Sequence, residues 1–172
     1  MTPTDEKHPF ITYLENLRDT EQRGELASLR RGLGKSAGAE PEMLRYVVPW
    51  LPKETSIWQE EPYFLVASLF AMHAQPGGWG NMGDHLARAC ESEQRSEALE
   101  RRLTALLAAH PDDLAYHLRQ TVSLLRACDI PVDWSRLLKD IQNWGHPDRW
   151  VQRNWARSFW GRTISTESTE NE

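Results

Sequence analysis

The sequence predicts an all-α protein made of two small helical bundles, with about eight to nine helices in all. Apolar residues recur every three or four positions through most of the chain, and no segment shows the alternation of a half-buried strand. Proline and glycine gather at the ends of these periodic segments. One glycine-rich stretch, QPGGWGNMG from Gln75 to Gly83, carries four glycines and reads as a connector that divides the chain. The expected parts are an N-terminal bundle over residues 8–75 and a C-terminal bundle over 84–162. Residues 163–172 read as an acidic, aromatic-free tail, expected to be disordered.

The segments support this in order. FITYLENLRD places Phe10, Tyr13, Leu14 and Leu17 on one helical face. RGELASLRRGLG groups Leu26, Leu29 and Leu33 and stops at Gly32 and Gly34. PEMLRYVVPWLP begins with Pro41 just inside a helix and is halted by Pro49 and Pro52. EPYFLVASLFAMHA is apolar almost all round, as a helix central to a core is. Four helices are expected after the glycine loop. SEALERRLTALLAAH carries a stripe of Leu99, Leu103, Leu106 and Leu107. PDDLAYHLRQTVSLLRACDI opens with Pro111, Asp112 and Asp113, which suit the partial positive charge of a helix start, and buries Leu114, Leu118, Val122 and Leu125. VDWSRLLKDIQNW has Asp133 near its start and turns Leu137, Ile141 and Trp144 inward. In the last helix, RWVQRNWARSFWG, Val151, Trp155 and Phe159 recur every fourth residue. Arg149, Arg153 and Arg157 follow the same spacing shifted by two positions, about 200° around the axis, and so lie opposite.

Composition narrows the class. At 172 residues the chain fits one domain or two small ones, and can bury roughly 70% of its unfolded surface. Eight tryptophans imply a strongly aromatic interior. No apolar run is long enough for a membrane span, and the N-terminus lacks the apolar core of a signal peptide. Cys90 and Cys128 show no CxxC spacing and read as reduced packing residues of a cytoplasmic protein, with a disulfide as the alternative.

Chemical motifs fail when tested. RRGLGKS resembles a phosphate loop, but the required first glycine is Leu29 and the segment follows a helix rather than a strand. The loop from Gly77 to Gly83 has no lysine after it. His110 and His117 lie seven apart with no accompanying Cys/His cluster, so no metal site is expected. Asp112 and Asp113 are adjacent and explained by helix capping. No catalytic set emerges from spacing, although a triad assembled in space stays open. The expectation is no enzyme, no metal and no cofactor.

The arginines are the stronger lead. Arg23 and Arg30, Arg95 and Arg102, and Arg119 and Arg126 are each seven apart, so each pair shares a helix face. Arg31 points away from the leucines of its helix, and Lys35 follows the glycines. Arginine forks onto phosphate and stacks on bases. Each pair taken singly is also explained by ion pairs with nearby glutamates. A net charge of −5 makes local patches matter more than the sum.

The order RGELASLRRG, LERRLTALL, HLRQTVSLLRACDIPVDWSRLLKDIQNW and VQRNWARSFW resembles the CasB family, the small subunit of the type I-E CRISPR surveillance complex Cascade. The resemblance runs from about Phe10 to Trp160 and is most specific in PVDWSRLLKDIQNW followed by WARSFW. It implies a non-enzymatic, all-α subunit of two bundles that acts in antiviral defence. It implies two copies per complex, lining the arch of backbone subunits that holds the guide RNA. Contacts to the large subunit and to both target and displaced DNA strands follow from it as well. Carried over by position, it implies a basic pair at Arg30 and Arg31, basic residues near Arg101, Arg102, Arg119 and Arg126, and others near Arg149, Arg153 and Arg157. The chain departs from the pattern in being acidic overall. A purely structural scaffold without nucleic-acid contact is the alternative. Trp150 and Trp160 lie off the apolar stripe and read, in order, as core, subunit contact or base-stacking platform.

Overall fold

A computed structural model describes residues 6–93 and 96–167, without the side chains of 90–96 and 162–167. Among the described residues the chain is all helical, with no strand. The helices are α1 (Pro9–Asp19), α2 (Arg23–Arg30), α3 (Pro41–Val47), a 3-10 turn (Val48–Trp50), α4 (Ile57–Met72), α5 (Met82–Glu93), α6 (Ser96–Leu107), α7 (Pro111–Ala127), α8 (Trp134–Gln142) and α9 (Trp150–Glu167). They group into two compact units, Met1–Ala74 and Gln75–Glu172. No helix among the described residues is long and apolar enough to cross a membrane.

In the first unit α4 is the central element. Tyr63, Phe64, Val66, Ala67, Leu69, Phe70 and Ala71 are all buried, so the helix is enclosed nearly all round. It begins at Ile57, earlier than the proline in its sequence suggests, and runs through Pro62. Pro62 lacks the N–H that would reach the Trp58 carbonyl, and the helix runs on without that one bond. Ser56 and Gln59 close a capping box at its start. Against α4 lie α2 and α3; α1 packs on α2, buries Phe10, Ile11, Leu14 and Leu17, and meets α4 where the Phe10 and Tyr63 ring centroids lie 5.4 Å apart. Tyr13, expected on that face, is half-buried and stacks on Trp50 with ring centroids 4.9 Å apart.

Among the described residues the second unit has five helices, one more than expected. The extra one is α5, whose inward residues are Met82, Leu86 and Ala89. Its start is fixed by Asn81 and Asp84: the Asn81 N–H donates to Asp84 Oδ2 at 2.9 Å, and the Asp84 N–H to Asn81 Oδ1 at 3.2 Å. Gly83 lets α5 come close to α9, because a Cβ there would lie 2.0 Å from the Trp155 carbonyl oxygen. Val151, Trp155 and Phe159 are buried, as the stripe predicted. Around them Trp144 and Trp155 meet with centroids 5.0 Å apart, and Trp144 Nε1 donates to the Ala109 carbonyl at 3.1 Å. No proline interrupts α9, which continues to Glu167, past the expected end at residue 162. Residues 168–172 of the expected tail lie outside the described residues, as do the side chains of Arg95 and Cys90.

Three His-Pro pairs start or precede helices in one manner. The Nδ1 atoms of His8, His110 and His146 accept the backbone N–H two residues on, each at 3.2 Å, from Phe10, Asp112 and Asp148. The imidazole takes the role that Ser, Asp or Asn usually fills, and proline follows where no N–H is needed.

Candidate nucleic-acid interface

The predicted basic residues fall into three physical states. Some hold the fold. Arg30 Nε donates at 3.1 Å to the carbonyl of Ala71, in the last turn of α4, which satisfies one of the acceptors a helix end leaves open. Arg149 does the same for α6, its Nη2 donating to the Leu107 carbonyl at 2.7 Å. Arg149 also stands before α9 rather than within it, with a left-handed φ of 49°. It therefore does not extend the arginine row of the last helix as expected; only Arg153 and Arg157 form it.

Others are paired at the surface. Arg31 bonds Glu42, and Lys35 bonds Glu40. The Lys35 hydrogen bond holds the Glu40 carboxyl below its usual range. Exposed pairs of this kind are worth about 0–1 kcal/mol, so a phosphate can displace them. Arg30 is different, since releasing it strands a helix-end carbonyl.

The third group forms no ion pair or side-chain hydrogen bond among the described residues: Arg23, Arg101, Arg102, Arg119, Arg126, Arg153 and Arg157. Arg23 opens α2, where a cation opposes the helix dipole, so its position gains nothing for that helix. Arg102 is half-buried, and Arg101 lines an open groove on α6 beside Glu97 and Glu100. The four remaining arginines are exposed and sit in two rows. Arg119 and Arg126 share one face of α7, about 10 Å apart along the axis. Arg153 and Arg157 share the outer face of α9, one turn apart, behind the buried stripe that fixes that helix. The acids of α7, Asp112 and Asp113, are confined to its first turn.

A second layer anchors α9. Trp155 Nε1 donates to Asp140 Oδ2 at 2.7 Å, and Arg136 Nε donates to Asp140 Oδ1 at 3.2 Å. Asp140 is 1% exposed, and its burial raises its pKa against the opposing pull of Trp155 and Arg136. Sequence reasoning missed this residue; its signal is the i, i+4 spacing from Arg136 on an inward-turned helix face. It also missed Arg88, whose guanidinium lies 4.2 Å from the Trp79 ring centroid while Nη2 bonds the Trp79 carbonyl at 2.9 Å. Trp150 and Trp160 are half-buried at the flanks of the stripe. His110 caps α7 and His117 packs edge-on to Tyr116. No group of three or more His, Cys, Asp or Glu among the described residues is placed to hold a metal ion.

These features define a class: a small protein, all helical among the described residues, that presents arginines without ion pairs among those residues on two helices while its net charge is negative. The family model described as CRISPR-associated protein Cse2 matches residues 25–160. The CRISPR-associated protein Cse2 of Thermus thermophilus is 36% identical over 168 residues, covering 95% of each chain. The crystal structure of M. ruber CasB superposes with a TM-score of 0.76 at 30% identity, covering 95% of this chain and 96% of that one. A chain of a CRISPR RNA-guided surveillance complex in a pre-nicking state gives 0.77 at 28% identity, with 95% and 96% covered. The chain belongs to the Cse2 family, also called CasB.

Proposed function

We propose that this chain is a non-catalytic small subunit of a CRISPR RNA-guided DNA surveillance complex. In that assembly it stabilises the opened target by neutralising phosphates. Guide RNA reads sequence by base pairing, and protein subunits hold backbone. The partners are the guide RNA, the target strand and the displaced strand, with the large subunit, the backbone subunits and a second copy of this chain as protein neighbours. The observation that carries the reading is the four exposed arginines of α7 and α9, which have no carboxylate partner among the described residues in a chain where acids outnumber bases 25 to 20. A guanidinium fork matches a phosphate in geometry and charge, and its attraction falls with salt. Kinship with chains that form part of RNA-guided surveillance complexes supports it.

A structural role alongside is favoured by exposed apolar side chains in the first unit. Leu44, Val48, Ile57 and Trp58 are 37%, 50%, 48% and 67% exposed. Such residues suit contact with protein neighbours. Reconstitution with Arg119→Glu, Arg126→Glu and Arg153→Glu combined separates the two roles. Phosphate holding predicts a complex of unchanged mass that captures duplex target poorly. If the variant is instead lost from the complex, the arginines brace protein and do not hold DNA.

A further inference from the structure

Tyr116 is 64% exposed on α7. Arg119, Ser123 and Arg126 continue its line toward the C-terminal end, and all are exposed. At helical geometry the four side chains fall within about 80° of arc and about 15 Å of axis. Among the described residues the phenol ring meets His117 edge-on, with centroids 5.5 Å apart and planes at 81°. An exposed tyrosine adds little to a helix, because aromatic residues lose side-chain freedom there and gain nothing from water.

The combination selects its ligand. Arginines alone serve any phosphate backbone, duplex or single. An aromatic ring beside them serves only a strand whose bases are free to stack, because a duplex keeps its base faces inside. We propose that the outer face of α7 holds an unpaired DNA strand, with one base stacked on Tyr116 and the adjoining phosphates forked by Arg119 and Arg126. The strand is the one released when guide RNA pairs with a duplex target. This rests on the phosphate-holding function proposed above and adds the residue that discriminates free from paired bases.

The test uses the guide-RNA complex reconstituted with this chain and two targets. A duplex target releases a strand on pairing, and the target strand alone releases none. Tyr116→Ala should weaken capture of the duplex about five- to tenfold. It should leave capture of the lone strand unchanged and the salt slope intact, since stacking displaces no counterions. Tyr116→Phe keeps the ring and should capture duplex as the wild type does. Equal loss on both targets, loss on neither, or failure of the Phe variant overturns the proposal. Arg119→Glu with Arg126→Glu judges the underlying function separately. If that pair leaves the duplex salt slope unchanged, phosphate holding by α7 fails, whatever Tyr116→Ala does.

Discussion

Trp155 donates its indole N–H to Asp140 at 2.7 Å, across from α9 to α8, and the accepting carboxylate is 1% exposed. This bond fixes the helix that presents Arg153 and Arg157. Asp140→Ala leaves the Trp155 and Arg136 donors without their acceptor and should cost about 3 kcal/mol in urea unfolding. The pKa of Asp140 is raised by burial, so the folded state keeps this proton where the unfolded chain, with a value near 3.8, releases it. The stability tied to this proton is complete below 3.8 and is lost as pH rises through the folded value. Asp140→Asn should remove that component, seen as a flatter unfolding free energy across the same window.

His8 titrates in the opposite sense. Burial lowers its pKa from 6.5, and its Nδ1 can cap α1 only while unprotonated. The contribution is therefore present above pH 6.5 and lost as pH falls through the lower folded value. Thermal melts of His8→Asn, which keeps a capping oxygen, should show less destabilisation between neutral and mildly acid pH than the wild type.

Gly83 and Gly24 give a contrasting pair. Gly83→Ala drives a Cβ into the Trp155 carbonyl at 2.0 Å, and backbone must move, so about 2 kcal/mol or more should be lost. At Gly24, in the first turn of α2, nothing lies within 4 Å of an added Cβ. Gly24→Ala should stabilise by about 0.5–1 kcal/mol, measured by urea midpoint at constant m.

The cations should divide by the same measurement. Arg30→Ala strands the part-buried Ala71 carbonyl and should destabilise by about 1 kcal/mol, while Arg149→Ala leaves the exposed Leu107 carbonyl to water and should cost less. Arg31→Ala breaks an exposed pair and should change stability by less than about 0.5 kcal/mol, as surface substitutions do.

Much of the fold is readable from residue spacing, because a helix that buries one face must repeat its apolar residues. The last helix shows this: Val151, Trp155 and Phe159 are buried and Arg153 and Arg157 exposed. Helix α5 is not readable that way. Gly83 looks like a loop residue when it is in fact the point of closest approach to α9, and the Asn81–Asp84 cap lies within a run of glycines. The state of each arginine is equally hidden. Arg30 reaches Ala71, 41 positions away, and Arg149 reaches Leu107, 42 away. Only tertiary folding brings those carbonyls into range, so spacing along one helix cannot distinguish a fold-holding arginine from a bare one. Asp140 was concealed for a related reason, as a charged residue among apolar ones that is buried because Trp155 and Arg136 satisfy it.

The salt dependence of duplex capture by the reconstituted complex tests the central claim most directly. With Arg119, Arg126 and Arg153 all changed to Glu, three phosphate contacts are lost, and the slope of log affinity against log salt should shrink by about 2 if they fall on single strand. An unchanged slope, in a complex that still contains the variant subunit, contradicts the claim that these arginines hold nucleic acid.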